Sequence, residues 1–305
     1  MSVPTLTGTV LRARSGFYTV TTASGTFECQ LRGRLKRDRQ STDLVVIGDE
    51  VTFQPLNADT GLIESVAPRR SRFSRRQPGP RGAWKEDLLV ANIDQLVVVF
   101  ACADPPPHQR MIDRFLVVAE QNEIGAVVVA NKIDLCGLDA ARAAFGLYED
   151  IGYRVIYASA RTGRGVEAVR EQLASRVSVI AGPSGVGKST LLNAIHPGLH
   201  LATGAVSESL HKGRHTTSSA ELHALDGPMG GHVADTPGLR EIGLWHVTPE
   251  QMAWGFLEFR PYLGACRFAN CSHGPEPGCA VRAAVASGAI SAARHDSYRR
   301  LVESP

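Results

Sequence analysis

The sequence predicts an α/β protein with a doubly wound parallel sheet, preceded by a small β-barrel and followed by a helical region. Three observations carry this prediction. Between about residues 87 and 245, apolar runs of strand length alternate with helix-length segments, as in parallel sheets with helices on both faces. Before residue 67, short strand-like segments are separated by glycines. After residue 248, helical segments flank a loop that contains three cysteines.

The N-terminal region is predicted to be an OB-type barrel. Its candidate strands are 10–11, 18–20, 26–29, 45–47 and 51–53. An SH3-like barrel would show a similar pattern. The next residues, 68–86, are rich in Arg, Pro and Gly, and we expect them to form an exposed basic linker.

The α/β region has six candidate strands and four candidate helices. The strands are predicted at 95–100, 126–130, 153–157, 177–181, 220–225 and 232–235, and the helices near 108–121, 138–147, 165–174 and 188–195. The predicted domains are therefore a barrel (1–67), a linker (68–86), an α/β domain (87–247) and a helical metal-binding domain (248–305).

Composition and charge limit the classes of function. Hydrophobic residues make up 43% of the 305 residues, and no apolar run reaches the roughly 18 residues of a membrane span. The start shows no secretory signal, and the unevenly spread cysteines indicate a reducing compartment, so we expect a cytoplasmic protein without membrane contact. We also expect a monomer. The net charge is only +3, but basic residues form two clusters, namely Arg32, Arg34, Lys36, Arg37, Arg39 and Arg69, Arg70, Arg72, Arg75, Arg76, Arg81. Such clusters attract nucleic-acid phosphates, although charge alone does not distinguish them from solvated loops.

A phosphate-binding loop follows the predicted strand 177–181. The loop has the form G-x-x-x-x-G-K-S and opens a helix, so its backbone N–H groups can surround an anion. We expect Lys188 to contact the β- and γ-phosphates as a catalytic group, and Ser189 to bind Mg²⁺. The predicted nucleotide contacts in this loop are Gly182, Pro183, Ser184, Gly185, Val186, Gly187, Lys188, Ser189 and Thr190.

A second motif, Asn131-Lys132-Ile133-Asp134, has the chemistry to select guanine. A carboxylate accepts two hydrogen bonds, so Asp134 matches the N1–H and amino donors of guanine. Asn131 would either bond the purine or tie the loops together, and the stem of Lys132 would cover the base. Ser159 and Ala160 follow the next strand, and the Ala160 N–H is expected to donate to guanine O6.

Two further segments resemble nucleotide switches. Asp235-Thr236-Pro237-Gly238 ends a strand, so Asp235 would contact Mg²⁺ through water and the Gly238 N–H would sense the γ-phosphate. Upstream, one of Thr216 and Thr217 is expected to ligate Mg²⁺ with Ser189, and we take Thr217 as the candidate.

In Ras-like enzymes the residue after this motif is a glutamine that orients the attacking water. Here it is Leu239, whose apolar side chain cannot do so. We therefore expect His215 to act as the catalytic group, while an exposed loop histidine would be equally compatible with the sequence.

The cysteine-containing loop has a metal-ligand pattern. Cys266, Cys271, His273 and Cys279 form C-x4-C-x-H-x5-C, which supplies three thiolates and one imidazole. This set suits one structural Zn²⁺ in a closed tetrahedral site, because it leaves no position for a reacting water.

The order of these motifs is permuted, because the base-selecting motif precedes the phosphate loop and ordinary GTPases have the reverse order. Permutation preserves a packed sheet when the new termini lie in surface loops. The permuted order, the N-terminal barrel and the C-terminal cluster together resemble one bacterial family, the ribosome small subunit-dependent GTPase A or RsgA/YjeQ type. The segments that carry the resemblance are GPSGVGKSTLLNAI, KGRHTTSS, DTPGLREIGL and CRFANCSHGPEPGCAV.

The resemblance implies a circularly permuted P-loop GTPase that binds the small ribosomal subunit and its rRNA and acts late in subunit maturation, with weak activity that the subunit stimulates. It places the family's catalytic histidine on His215. Two alternatives remain at this point. One is an RNA-binding scaffold in which nucleotide is only structural, and the other is an ATP-dependent phosphotransferase, against which Asp134 argues.

Overall fold

A computed structural model of the chain describes residues 4–33, 45–78, 84–201, 221–225, 230–235 and 247–303. For residues 75–78, 84–87 and 235 it describes the backbone only. None of the described helices is both long and apolar enough to cross a membrane.

The N-terminal region is a closed five-stranded barrel. Its strands are β1 (Leu6–Arg14), β2 (Phe17–Thr22), β3 (Gly25–Leu31), β4 (Glu50–Pro55) and β5 (Thr60–Val66). Strand β1 pairs with both β2 and β4, and β3 runs parallel to β5, so the ring closes in the order β1-β2-β3-β5-β4. Alternate residues such as Val10, Val20 and Phe53 fill the barrel core, as the period of two requires. The closed five-stranded ring is the OB-type arrangement.

Two details of the barrel prediction are wrong. Strand β5 was missed, because Gly61 was interpreted only as a turn. The segment 45–47 is not a barrel strand, since Ile47 instead forms an isolated bridge to Val90. Gly48 explains the departure, because its φ of +83° turns the chain and a Cβ there would lie 2.1 Å from the Ala91 carbonyl oxygen.

The prediction of an exposed linker is wrong for the first half of 68–86. Strand β6 (Arg72–Pro78) pairs with β7 (Trp84–Ala91) as an antiparallel ribbon, and Phe73 is fully buried. The Arg69 side chain is only 14% exposed and forms two hydrogen bonds to the buried Asp49 carboxylate, at 2.7 and 2.8 Å. Asp49 also accepts the Val46 N–H at 2.8 Å. Because a buried carboxylate requires a partner, Arg69 connects the ribbon to the barrel.

The central domain contains six strands of one continuous sheet. They are β8 (Gln95–Ala101), β9 (Gly125–Asn131), β10 (Arg154–Tyr157), β11 (Val177–Ala181), β12 (Glu221–Ala224) and β13 (His232–Asp235). Their order is β10-β9-β8-β11-β13-β12, in which the first five are parallel and β12 is antiparallel. Strand β12 pairs with β1, so the barrel extends the sheet.

Helices cover both faces of this sheet, which confirms the doubly wound prediction. Leu96, Val98 and Phe100 of β8 pack with the first two helices, α1 (Gln109–Gln121) and α2 (Leu138–Ile151). The alternate residues Val97 and Val99 pack with α3 (Val166–Leu173) and α4 (Lys188–Ile195). Because β8 is buried on both sides, its sequence is continuously apolar after Gln95.

The C-terminal region is helical around the cysteine loop, as predicted. It contains α5 (Pro249–Trp254), a 3-10 segment (Leu257–Tyr262), α6 (Ala280–Ala286) and α7 (Ala292–Glu303). Phe256, Phe259 and Tyr298 contact one another in tilted and edge-to-face pairs and join the hydrophobic core that α1 also lines. The region is therefore packed onto the central domain.

Candidate nucleotide pocket and metal centre

The predicted nucleotide-binding segments meet at one edge of the sheet, where the strand order reverses. From β8 the chain proceeds outward to β9 and β10, and then returns to the other side of β8 as β11. In open α/β sheets such a switch point leaves a crevice at the carboxyl ends of the strands. The loops after β8, β9 and β11 lie at this edge, where the sequence predicts the nucleotide pocket.

The phosphate loop depends on glycines at both ends. A Cβ on Gly182 would lie 2.1 Å from the Val99 carbonyl oxygen, and one on Gly187 would lie 2.6 Å from Nδ2 of Asn131. Gly187 has a φ of +91° and precedes the first residue of α4. These positions accept only glycine, because the loop passes against β8 on one side and the base-selecting motif on the other.

Lys188 and Ser189 begin helix α4. The Lys188 ammonium folds back over the loop and donates to the carbonyls of Gly182 at 2.8 Å and Pro183 at 2.6 Å. The ammonium and the N-terminus of α4 therefore provide positive potential at the same loop, which suits a polyphosphate. Ser189 is half-buried in the first turn of α4, next to Lys188.

The amide of Asn131 joins the base-selecting motif to the phosphate loop. This side chain is 1% exposed, and its Nδ2 donates to the Val186 carbonyl at 2.9 Å. Its Oδ1 accepts the Ala160 N–H at 3.3 Å. Of the two roles considered for Asn131, the geometry therefore favours tying the loops together. The Ala160 N–H was expected to donate to guanine O6. In the structure it donates to Asn131 Oδ1 through a long bond, so Asn131 and the base would share this donor.

The carboxylate of Asp134 is oriented by its neighbours. Its Oδ1 accepts the Ser159 hydroxyl at 2.6 Å, and the Arg161 guanidinium lies 3.7 Å from Oδ2. The Asp134 side chain is 14% exposed, although the residue with its backbone lies at the surface. Ser159 is fully buried and also accepts the Thr162 N–H at 3.2 Å. The Ser159 hydroxyl therefore orients the Asp134 carboxylate.

One pocket segment was not predicted, namely the loop of residues 102–108 between β8 and α1. Lys132, which has a φ of +62°, donates from Nζ to the Asp104 carbonyl. On the other side, Pro105 Cδ lies 3.8 Å from the position of a Cβ on Gly185. The available signal was the Asp-Pro-Pro-Pro run directly after a buried strand, which indicates a rigid loop at the carboxyl end of β8.

The switch residues are only partly within the described chain. His215, Thr216, Thr217 and Gly238 lie outside the described residues. The backbone of Asp235 is described and ends β13, which pairs with β11 in parallel with Val179 beside Ala234. Asp235 is therefore at the same edge of the sheet as the phosphate loop.

The four predicted metal ligands come together in the C-terminal region. The ligand atoms of Cys266, Cys271, His273 and Cys279 all lie within 4.8 Å of one another. Nδ1 of His273 is 3.6 Å from the sulfurs of both Cys266 and Cys279. A tetrahedral Zn²⁺ with sulfur at about 2.3 Å and nitrogen at about 2.0 Å would separate these atoms by about 3.5 Å. The geometry therefore fits the ion that the donor set suggests.

The surroundings of the cluster suit a structural metal. The Ala280 N–H points to the Cys266 sulfur and the Arg282 N–H to the Cys279 sulfur, both at 3.4 Å. Desolvation lowers the pKa of His273, so its imidazole is neutral and can act as a ligand. Desolvation also raises the pKa of the Cys271 thiol, so a bound cation is needed to hold it as a thiolate.

Comparison with known proteins supports these assignments at the level of the family. The sequence profile of the RsgA GTPase family matches residues 66–245, and that of the RsgA N-terminal domain matches residues 7–63. The small ribosomal subunit biogenesis GTPase RsgA of Gemmatimonas aurantiaca is 49% identical over 298 residues, covering 97% of this chain and 96% of the relative. The protein of the same name from Moorella thermoacetica is 44% identical over 291 residues, covering 95% and 94%.

Two solved structures resemble the whole chain. YjeQ from Thermotoga maritima superposes with a TM-score of 0.81 at 34% identity, covering 98% of both chains. YloQ, a circularly permuted GTPase, superposes with a TM-score of 0.76 at 29% identity, covering 98% of this chain and 94% of YloQ. With the segment 131–134 at the end of β9 and the phosphate loop after β11, the chain has the same permuted order. The chain belongs to the RsgA GTPase family and is a circularly permuted, GTP-hydrolysing enzyme.

Proposed function

We propose that this GTPase binds the small ribosomal subunit and couples GTP hydrolysis to a late step of subunit maturation and to its own release. The observation that carries the nucleotide part of the proposal is the oriented Asp134 carboxylate beside the phosphate loop that contains Lys188, and the relatives' names support the ribosomal part. Relatives at 49% and 44% identity are named small ribosomal subunit biogenesis GTPase RsgA. Work on ribosomal subunits would place the protein in the cytoplasm.

The pocket residues have distinct roles in this proposal. Asp134 accepts the N1–H and amino hydrogens of guanine, and Ser159 keeps the carboxylate in plane. Asn131 holds the base-selecting motif against the phosphate loop, so that base and phosphates are bound in a fixed relation. Lys132 supplies its apolar stem to one face of the base.

The phosphate end of the pocket would carry out the chemistry. Lys188 and the N–H groups at the start of α4 stabilise the charge that develops on the transferred phosphoryl group. Mg²⁺ would neutralise the β- and γ-phosphates, with Ser189 and Thr217 as ligands and Asp235 acting through water. Gly238 would sense the γ-phosphate through its N–H.

We propose that the ion in the cysteine cluster is one structural Zn²⁺. Three thiolates and a neutral imidazole leave no open coordination position, so the ion would stabilise the C-terminal region without a catalytic role.

The first test is GTP turnover with and without purified small ribosomal subunits. We expect subunits to stimulate turnover, and we expect His215→Ala to abolish most of that stimulation while GDP affinity changes little, because a water-positioning group acts in the transition state. Loss of one such group lowers the rate by about 10²- to 10⁴-fold. The measurement is steady-state phosphate release together with GDP binding.

The matched control is His200→Ala, which changes a described histidine outside the predicted motifs. Full stimulation of the His215→Ala protein would remove His215 from the mechanism. Binding of subunits without any stimulation of the unmodified protein would favour the scaffold alternative.

Two exposed arginines at the start of the β6–β7 ribbon, Arg70 just before β6 and Arg72 at its first position, are proposed to contact rRNA phosphates. The Arg70 side chain is 65% exposed, and Arg72 is exposed. Arg69 forms an ion pair with the buried Asp49, so it is not substituted in this test. We expect Arg70→Gln with Arg72→Gln to weaken subunit binding and to reduce the slope of log K against log salt by about 2. GTP affinity should not change.

The charge-matched control for this test is Arg142→Gln with Arg154→Gln, which removes two exposed arginines from the central domain. Binding is measured by co-sedimentation over a series of salt concentrations. If both double variants lose affinity equally, net charge explains the result and the ribbon is not a specific contact.

A further inference from the structure

A buried arginine joins the C-terminal region to the first helix of the central domain. Arg294 of α7 is 1% exposed, and its NH1 donates to Oδ1 of Asp113 on α1 at 2.5 Å. Its Nε and NH2 donate to the two carboxylate oxygens of Glu258 at 2.7 and 3.1 Å. The guanidinium also lies 4.3 Å from the ring centre of Phe256. One cation therefore holds two carboxylates from different parts of the chain in a position closed to water.

Tyr148 extends this cluster to the start of α1. Its hydroxyl donates to the same Asp113 oxygen at 2.8 Å and lies 3.4 Å from the carbonyl oxygen of Gln109, the first residue of α1. Burial raises the pKa of Tyr148, so the hydroxyl remains protonated and can act as a donor. The first two turns of α1 are thus held by Arg294 and Tyr148 together.

The residues directly before this helix border the nucleotide pocket. The loop 102–108 accepts Lys132 at the Asp104 carbonyl, and Pro105 faces Gly185 of the phosphate loop. The same loop is joined to the base-selecting motif by the Cys102 N–H, which donates to the Asn131 carbonyl at 2.8 Å. A shift at the start of α1 would therefore reach both sides of the pocket.

We propose that Arg294 is a positioning residue for nucleotide binding: by holding Asp113, it fixes the start of α1 and the loop 102–108 against the base-selecting motif and the phosphate loop. The contact of the C-terminal region with the start of α1, and not its docking in general, then sets the affinity of the pocket for guanine nucleotide. This inference rests on the proposed guanine pocket.

A second ion pair provides an internal comparison. Arg260 of the C-terminal region pairs with Glu120 at 2.6 Å, at the end of α1 farther from the pocket loop. This contact joins the same two parts of the chain. Its loss should loosen the docking without moving the loop 102–108, so Arg260→Met is the matched control for Arg294→Met.

The experiment measures GDP affinity for the full chain with Arg294→Met, Tyr148→Phe or Arg260→Met. All measurements are made below the melting temperature of every variant, with zinc content checked. We expect Arg294→Met and Tyr148→Phe to raise the dissociation constant for GDP about threefold or more, in the range found for mutations that alter coupling between sites. In steady-state turnover, KM for GTP should rise more than kcat falls. Arg260→Met should leave GDP affinity unchanged.

Tyr148→Phe removes one hydroxyl and keeps the ring, so it tests the proposal even if Arg294→Met does not fold. Wild-type GDP affinity in folded Tyr148→Phe protein would overturn the proposal, as would equal losses in the Arg260→Met and Arg294→Met variants. If the unmodified protein shows no preference for GDP over ADP, the guanine pocket itself is wrong. If the preference is present and the variants bind normally, only the positioning role fails.

Discussion

Replacing Asp134 with asparagine is expected to change the base that the enzyme accepts. The amide keeps one acceptor for guanine N1–H but turns a donor toward the guanine amino group, which is also a donor. The loss of one charge-assisted hydrogen bond and the unsatisfied amino group together cost about 3 kcal/mol or more, or about a hundredfold in GTP affinity. Xanthine has a carbonyl in place of that amino group, so the same variant should gain affinity for xanthosine triphosphate.

The structure indicates that this variant will fold. Asp134 accepts the Ser159 hydroxyl through one oxygen, and the asparagine carbonyl can accept the same bond. The measurement is competition binding with GTP, xanthosine triphosphate and ATP. The control is Asp139→Asn, which changes an exposed carboxylate in the first turn of α2. Unchanged preference for GTP in the Asp134→Asn protein would show that another group selects the base.

Removal of the metal is expected to unfold the C-terminal region around the cysteine loop. Structural Zn²⁺ sites contribute about 10 kcal/mol or more of binding free energy, which exceeds what one short loop can recover from its own packing. We therefore expect one zinc ion per chain by atomic spectroscopy and a large loss of stability after chelation. Cys279→Ala should have the same effect, because Cys279 belongs to the cluster and is also the N-cap of α6.

The readout of this prediction is zinc content with thermal unfolding and hydrogen exchange of residues 264–303. Cys136→Ser is the matched control, since Cys136 is half-buried and lies outside the cluster. We expect it to retain zinc and the protection of the C-terminal amides. A Cys279→Ala protein that keeps both a full zinc complement and normal hydrogen exchange would exclude this ligand set.

Local sequence determined most of the central domain. The strand 177–181 and the helix 188–195 have the predicted bounds, because an apolar run, a glycine-rich turn and a helical pattern follow one another without ambiguity. The cysteine cluster was predictable for a related reason, since its four ligands lie within fourteen consecutive positions and their chemistry is specific.

Contacts between distant residues could not be predicted in this way. Asp49 and Arg69 were separate charged residues in the sequence, and only packing shows that the arginine is needed to balance a buried carboxylate. Similarly, the Asp-Pro-Pro-Pro run at 104–107 indicates a rigid loop but not its neighbours. The order of strands in the sheet brings that loop against Lys132 and Gly185.

The sequence by itself determined the candidate site groups of this protein: a carboxylate suited to guanine, a lysine-bearing phosphate loop and a set of three cysteines and one histidine suited to a metal, because each depends on residue types at short spacing. Only the tertiary structure decided how these parts are connected. Asn131 joins the two nucleotide motifs, and Arg294 joins the C-terminal region to α1, through contacts across 55 and 181 residues. Such pairings depend on which surfaces the folded chain buries together, and short-range patterns do not contain that information.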